Sequence, residues 1–404
     1  MFMNTRWNTD GISALWPEVN DPFLALRGVP EGLEPVNERQ ALYQHLLAGF
    51  DRITSCEMKE LYRFKLFLNQ VPAHLASLPE ASLILQGFKA WVNFEYETAR
   101  AVFCAHIKAC PTDIVALFFL HMLDFCTGKT VRLKSEFPAL DAVLSADHPL
   151  YSYYLSMKAF VLCECGLFGD AFDIALQSVR LKPTNIYGIH AAAHALHEMG
   201  RWAELAGFLE SRRADWIDNP GMRMHVYWHL AIAYERSNRT DRALAAFDGL
   251  YKLKDSPFAK QDLDAVGFLW RLRLKAADGR YHAVWKRLAV LWSGGIFTST
   301  SYFHKVHAAL AFSASHQPLL IEKQIAESDG FGVEARTHQV GLEVLNAIHL
   351  FTLERYPDCM ELLHASRAQW HLLGGSRAQR EILALTLDYA AQQTLSVALG
   401  RYSA

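Results

Sequence analysis

The sequence predicts an all-α fold, a solenoid of antiparallel helix pairs, on three observations. Apolar residues recur at three- and four-residue spacing through most of the chain, the period of a helix with one buried face. Gly, Pro, Asn and Asp fall at the breaks, and no run of alternating β-branched residues marks a strand. The third observation is a repeat. Ala99, Ala171 and Ala243 stand 72 residues apart, twice 36, and share neighbours at fixed offsets.

A small residue precedes each of them by twelve: Gly87, Ala159 and Ala231. Phe103 and Phe247 follow the first and third by four, and Gly166 precedes the second by five. Pro111 and Pro183 stand twelve after the first two. Small residues let paired helices approach closely, and the proline ends the second helix. These offsets are those of the tetratricopeptide unit, a helix–turn–helix repeat of about 34 residues.

Taken in order, residues 1–36 are punctuated by Pro17, Pro22, Pro30 and Pro35. They are expected to form an ordered arm on the helices, because Trp7, Trp16, Phe23 and Leu26 need burial. Helices over about 37–50 and 56–70 complete a leading segment, 1–75. Tetratricopeptide-like repeats occupy 76–256, with 116–147 and 186–214 as degenerate units between the clear copies. Residues 257–404 continue the same solenoid with blurred repeats. There WRLRLKAADGRYHAVWKRLAVLW and EVLNAIHLFTLERYPDCMELLHASRAQW keep the helix–turn–helix rhythm. The arm and the C-terminal helices are expected to close the solenoid around a central pocket.

The 404 residues are 51% hydrophobic and carry a formal charge of −2, enough for a large core. No basic excess points to nucleic acid or to an anionic membrane surface. The N-terminus lacks the basic-then-apolar layout of a signal peptide, and no apolar run is long enough to span a bilayer. The seven cysteines are odd in number and mostly lie in apolar helical patterns, which suits free thiols in a reducing cytoplasm. No CxxC pair supports a zinc ribbon.

The chemistry concentrates in residues 185–236. His190, His194 and His197 fall on one helical stripe, and His225 and His229 on the next helix. Ala191, Ala192, Ala193 and Ala195 separate the first three with little bulk. Counting Ala159, Ala193 and Ala231 as position 8 of successive repeats, groove-facing positions 2, 5, 9, 12 and 13 take His225, His190, His194, His197, Cys163 and Glu164. His229 falls at position 6. Most of the ridge is thus expected to face the concave groove.

Several separated blocks, in order, resemble the tetratricopeptide repeat protein 38 family over roughly residues 75–390. The blocks are HPLYSYYLSMKAFVLCECGLFGDAFDIALQSVRLKPTNIYGIHAAAHALHEMGRW, WHLAIAYE, LDAVGFLWRLRL, FHKVHAALAF and LLGGSRAQREILALTL. The family's HAxxH lands on His190 and His194, its WH on Trp228 and His229, and its valine–histidine pair on His307. Its glycine–serine block lands on Gly374, Gly375, Ser376, Gln379 and Arg380. Departures cluster in the presumed groove: Tyr187 where members carry Trp, Cys163 for one of two adjacent acids, and His197 for an acid. The resemblance implies the fold and leaves the activity open.

Two HxxxH pairs on adjacent helices favour a transition metal, zinc or iron, on His190, His194, His225 and His229. Glu164, Glu198 or Glu235 would be further ligands. A zincin is excluded, because Arg201 stands where HExxH needs its second His. Without metal, His190, His194, His225 and Glu164 would serve acid/base catalysis, and Cys163 would be either an activated thiolate or an apolar filler. Tyr187, Trp228, His229, Asp264, His307 and Arg380 are the substrate-binding candidates. Ser376 lacks a GxSxG elbow and reads as a helix cap. The functional expectation is a cytoplasmic enzyme processing a small molecule in a histidine-rich pocket, in specialised metabolism. The alternative is a non-enzymatic scaffold with a protein partner or as a homodimer, the usual use of such repeats. The bland reading of the ridge is a buried hydrogen-bonded network that fixes helix pairing.

Overall fold

Six turns of the chain share one geometry. Each puts one residue in the left-handed region: Phe94 (φ 65°), Gly166 (81°), Gly200 (67°), Asn238 (58°), His316 (54°) and Glu354 (58°). The amide after it reaches back five residues, as Leu167 N does to Leu162 O at 3.0 Å and Arg355 N to Leu350 O at 2.9 Å. This closure satisfies carbonyls that the helix end leaves open. Seven residues before the left-handed position stand Gly87, Ala159, Ala193, Ala231, Ala309 and Ala347; five after it stand Ala99, Ala171, Leu205, Ala243, Ile321 and Cys359. Every one of these is buried. Small residues on the first helix meet apolar residues on the second, so each turn joins two closely packed helices.

The structure is a computed structural model that describes residues 38–79, 81–219, 222–254, 262–275, 279–294 and 299–402, with side chains to 396. The arm expected over residues 1–36 lies outside them. The main helices are α1 (Glu38–Thr54), α2 (Met58–Leu68), α3 (Ala81–Val92), α4 (Tyr96–Ala109), α5 (Ile114–Cys126), α6 (Tyr151–Glu164), α7 (Phe168–Leu181), α8 (Ile186–Glu198) and α9 (Trp202–Ser211). They continue as α10 (Arg223–Arg236), α11 (Thr240–Lys252), α12 (Leu263–Lys275), α13 (His282–Ser293), α14 (Tyr302–Ala314), α15 (Pro318–Ala326), α16 (Ala335–Thr352), α17 (Tyr356–Ser366) and α18 (Arg377–Tyr402). Among the described residues there is no strand, only one isolated antiparallel bridge between Glu57 and Ser299. No described helix is long and apolar enough to cross a membrane.

The protein is an all-α helical-repeat solenoid, and its chain forms two compact units. The first is Met1–Thr54, Glu60–Phe125 and Thr130–Leu250; the second is Ser55–Lys59, Cys126–Lys129 and Tyr251–Ala404. In the first, the turns close the pairs α3/α4, α6/α7, α8/α9 and α10/α11. The first helices of successive pairs stack side by side, α6 on α8 and α8 on α10. The expected degenerate unit at 116–147 departs from the pattern. After α5 comes a 3-10 segment, Thr130–Glu136, then a short helix Phe137–Asp141 with Pro138 in its first turn. Proline is at home there and lacks the N–H that a helix interior needs.

In the second unit, α14/α15 and α16/α17 repeat the turn, and Arg271 ties α12 to α18 by donating to Ala378 O (2.8 Å) and Glu381 (3.0 Å). Two polar clusters brace the first unit. Asp113 accepts from Ala116 N at the start of α5 and binds both Tyr43 of α1 and His106 of α4. Asn185 stands before α8, wholly buried. Its carbonyl oxygen caps α8 by accepting from the Tyr187 and Gly188 amides. Its amide protons go to Ser152, Ser156 and Ser178 on α6 and α7, at 2.8, 2.8 and 3.1 Å. Gly188 lets this junction close, since a Cβ there would lie 2.5 Å from Ser178 Oγ.

Asn185 therefore caps the helix and docks it. Asn185→Ala removes the cap and leaves buried hydroxyls short of a donor, so it should cost about 2–3 kcal/mol in urea unfolding. A loss below about 0.5 kcal/mol would show that the serines re-pair among themselves.

Candidate metal centre

The i, i+4 spacing sets His190 above His194 on α8 and His225 above His229 on α10. Because α8 and α10 stack as neighbouring first helices, the two pairs meet at the same height. Four ring-to-ring distances form a closed circuit: His190–His194 4.4 Å, His194–His229 4.5 Å, His229–His225 4.9 Å and His225–His190 4.8 Å. The diagonals are longer, 5.6 Å for His190–His229 and 6.0 Å for His194–His225. One ring nitrogen from each histidine lies within 4.8 Å of the other three. A metal about 2.0–2.1 Å from four imidazole nitrogens would hold the ring centres about 5 Å apart in a tetrahedron. The four rings match that size, flattened towards a square.

Burial decides the state of these rings. His229 is 0% exposed, and among the described residues neither of its ring nitrogens has a hydrogen-bond partner. His194 is also buried, while His190 and His225 are half-buried. The Nε2 atoms of His190 and His194 converge to 2.8 Å. Burial, and then the neighbouring His225 and His121, hold His190 well below the ordinary imidazole value. Burial, followed by the other imidazoles, does the same to His229. Both rings are therefore neutral at pH 7, the form in which a histidine binds metal.

Aromatic side chains pack around the four. Phe160 of α6 stacks on His190 at 5.6 Å and meets His194 edge-on at 5.1 Å. Trp228 stacks on His225 at 5.0 Å. His121 of α5 stands against Phe160 at 5.7 Å, and burial pushes its imidazole down to about 4. His121 was not legible beforehand, being a single histidine in the apolar run IVALFFLHMLDFC with no second histidine at helical spacing.

Other expectations change. The ridge does not lie open to a groove: His194, His197 and Glu164 are 1%, 4% and 7% exposed. His197 packs edge-on against Trp202 at 4.8 Å and stands outside the group of four. Glu164, Glu198 and Glu235 are also outside it. Trp228 is buried as a packing layer, and Tyr187 is turned edge-on to Phe118 at 6.4 Å. Cys163 is wholly buried among Leu162, Ala171 and Ala195, and none of the seven cysteines forms a disulfide.

His307, Asp264 and Arg380 belong to the second unit and to none of this. His307 Nδ1 bonds to Phe303 O at 2.8 Å, and burial, partly offset by that bond and by Asp264, pushes it down to about 4. Arg380 donates to the carbonyls of Gly374 and Gly375, both in the left-handed region, and so braces the turn into α18. Ser376 is the expected cap: its hydroxyl accepts from Gln379 N at 3.2 Å, and Gln379 accepts from Ser376 N at 3.0 Å.

No family model matches the chain. Among solved structures, the TPR domain of P58(IPK) is similar over 79% of this chain and 99% of its own, at 12% identity and a TM-score of 0.21.

A histidine with two orphaned nitrogens weakens the empty fold. In chelator-treated protein, His229→Leu should raise the unfolding free energy by about 1–2 kcal/mol. A loss of similar size would make His229 a structural residue. The titration has a definite sign. Unfolded histidines take up protons near about pH 6.5, whereas His121 and His307 resist until about 4. The unfolded chain thus binds more protons in that interval, and metal-free stability must fall as pH drops from 6.5 to 4. Thermal melts across that range check it; a flat Tm would refute it.

Proposed function

We propose that the protein binds a first-row transition metal on His190, His194, His225 and His229 and uses it on a small molecule. The observation that carries this reading is His229, buried at a corner of the circuit with both nitrogens unpartnered. A bound ion would take one lone pair from each ring, in place of the hydrogen bond between His190 and His194. Four neutral imidazoles suit zinc, nickel or copper(II), and the flattened circuit favours copper(II) or nickel over zinc. Iron, expected beside zinc from the sequence, usually takes a carboxylate among its ligands, and none belongs to this group.

The second reading is a protein-interaction scaffold, supported by the repeat register of the six turns. The two are compatible if the metal stiffens the stack. Membership of the tetratricopeptide repeat protein 38 family is part of the proposal and rests on the sequence blocks above. A reducing, cytoplasmic setting is proposed from the seven free thiols.

Elemental mass spectrometry on untagged full-length protein tests the metal reading, beside a His190→Ala/His194→Ala variant shown folded by circular dichroism. About one equivalent of metal, lost in the variant, is the expected result. Equal, substoichiometric metal in both proteins would leave the scaffold reading.

A further inference from the structure

We propose that Lys305, in the second unit, is a nucleophilic amine that takes a carbonyl compound, an aldehyde above all, as a reversible imine. No metal is needed for it, and none of its residues belongs to the group of four histidines.

A lysine is seldom buried without an acid beside it. Lys305 stands in the first turn of α14 and is 5% exposed. Its Nζ donates to Ser328 Oγ at 3.2 Å and lies 4.8 Å from the centre of the Tyr302 ring. No ion pair reaches it among the described residues. Asp329 is the one charge acting on it there, and that carboxylate accepts from the Phe331 amide at 2.9 Å. Burial disfavours the ammonium and prevails over Asp329 and the ring, which favour it, so the amine is held below the ordinary lysine value. A desolvated amine is a nucleophile at neutral pH, whereas an ammonium is not.

Polar groups from α15 and α16 close around the amine. Gly341 of α16 lets the Tyr302 ring come up against that helix, since a Cβ there would run into the ring. Burial pushes Tyr302 up to about 12, so it stays a neutral phenol, and it shares a 2.6 Å hydrogen bond with His338 Nδ1 of α16. Ser328 donates its own proton to Gln324 O at 2.7 Å, and Gln324 Nε2 donates to Lys305 O at 3.2 Å. Gln324 Oε1 is buried with no partner among the described residues, an acceptor that the chain itself leaves unmet. The surface is one residue away. Ser328 precedes the exposed Asp329 and the turn to Phe331, which is 62% exposed, and His338 is half-buried. In the reaction the amine lone pair attacks the carbonyl carbon, and the π pair of the C=O bond goes to oxygen. Both amine protons then leave with that oxygen as water, and a C=N bond remains. Hydrolysis reverses the step, and no oxidant or reductant is consumed.

Reductive trapping tests this. Full-length protein would be incubated with glyceraldehyde and cyanoborohydride, which reduces an imine to a stable secondary amine. The adduct on each lysine would be followed in time by peptide mass spectrometry. At pH 7, Lys305 should be labelled at least about tenfold faster than the exposed Lys323 of α15. Asp329→Asn removes the charge that favours the ammonium, so the pH profile of Lys305 labelling should move to lower pH. Lys305→Met, shown folded by circular dichroism, should lose that adduct alone. Wild-type Lys305 left unlabelled, or labelled no faster than Lys323, would overturn the inference. So would a Lys305 pH profile that coincides with that of Lys323. The metal reading stands or falls separately, on the elemental measurement.

Discussion

The side-by-side stacking of α8 on α10 is the constraint on which the site depends. Successive first helices in a repeat array run in the same direction, separated by a full helix–turn–helix unit. Equivalent heights on them are therefore set by the repeat length, not by local sequence. His190 and His225 are 35 residues apart, as are His194 and His229, and each pair is in ring contact at 4.8 and 4.5 Å. A one-residue change in the turn at Gly200 or in the segment before α10 would rotate one pair away from the other. Small residues anchor the other side of α8, where Ala191 and Ala192 pack with Ala159 and Ala175, and Ala195 with Ala171 and Cys163, of α6 and α7.

The convergence of the four rings opposes stability. A buried, neutral imidazole such as His229, with neither ring nitrogen partnered among the described residues, is what a core evolved for stability alone would replace by leucine. The surrounding structure offsets this with well-satisfied polar junctions placed close by. Asn185 closes both its amide functions on backbone and serines one turn before His190. Asp113 gathers Tyr43, His106 and the start of α5, the helix that carries His121. The first unit thus combines over-determined junctions with one buried imidazole, His229, that is unsatisfied among the described residues.

Much of the fold was legible in the sequence because its constraint is steric and periodic. Ala99, Ala171 and Ala243, with their small partners twelve residues earlier, set the register that the six turns repeat. The later copies were harder to read because Ile321 and Cys359 stand where the clear copies carry Ala99, Ala171 and Ala243. The four central histidines were legible from i, i+4 spacing alone. Their surroundings were not, because Phe160 reaches His190 and His194 from α6, a different helix. His229, at position 6 of its repeat, is wholly buried and completes the group of four. Arg380 and His307 read as binding groups because a conspicuous motif looks the same whether its donors meet a substrate or a backbone carbonyl.

The two proposed roles, metal chemistry and protein scaffold, draw on the same element. An ion shared by α8 and α10 would join the first helices of consecutive repeats, adding its binding free energy to an interface that repeat proteins otherwise hold by nearest-neighbour packing. At a free metal concentration a hundred times the dissociation constant, that addition is about 2.7 kcal/mol. This is comparable to the whole contribution expected from the Asn185 junction. Stacking in the first unit would then depend on metal supply, and any surface shaped by that stacking would depend on it too. A scaffold role and a metal site are in that sense one mechanism, joined through the geometry of two adjacent helices.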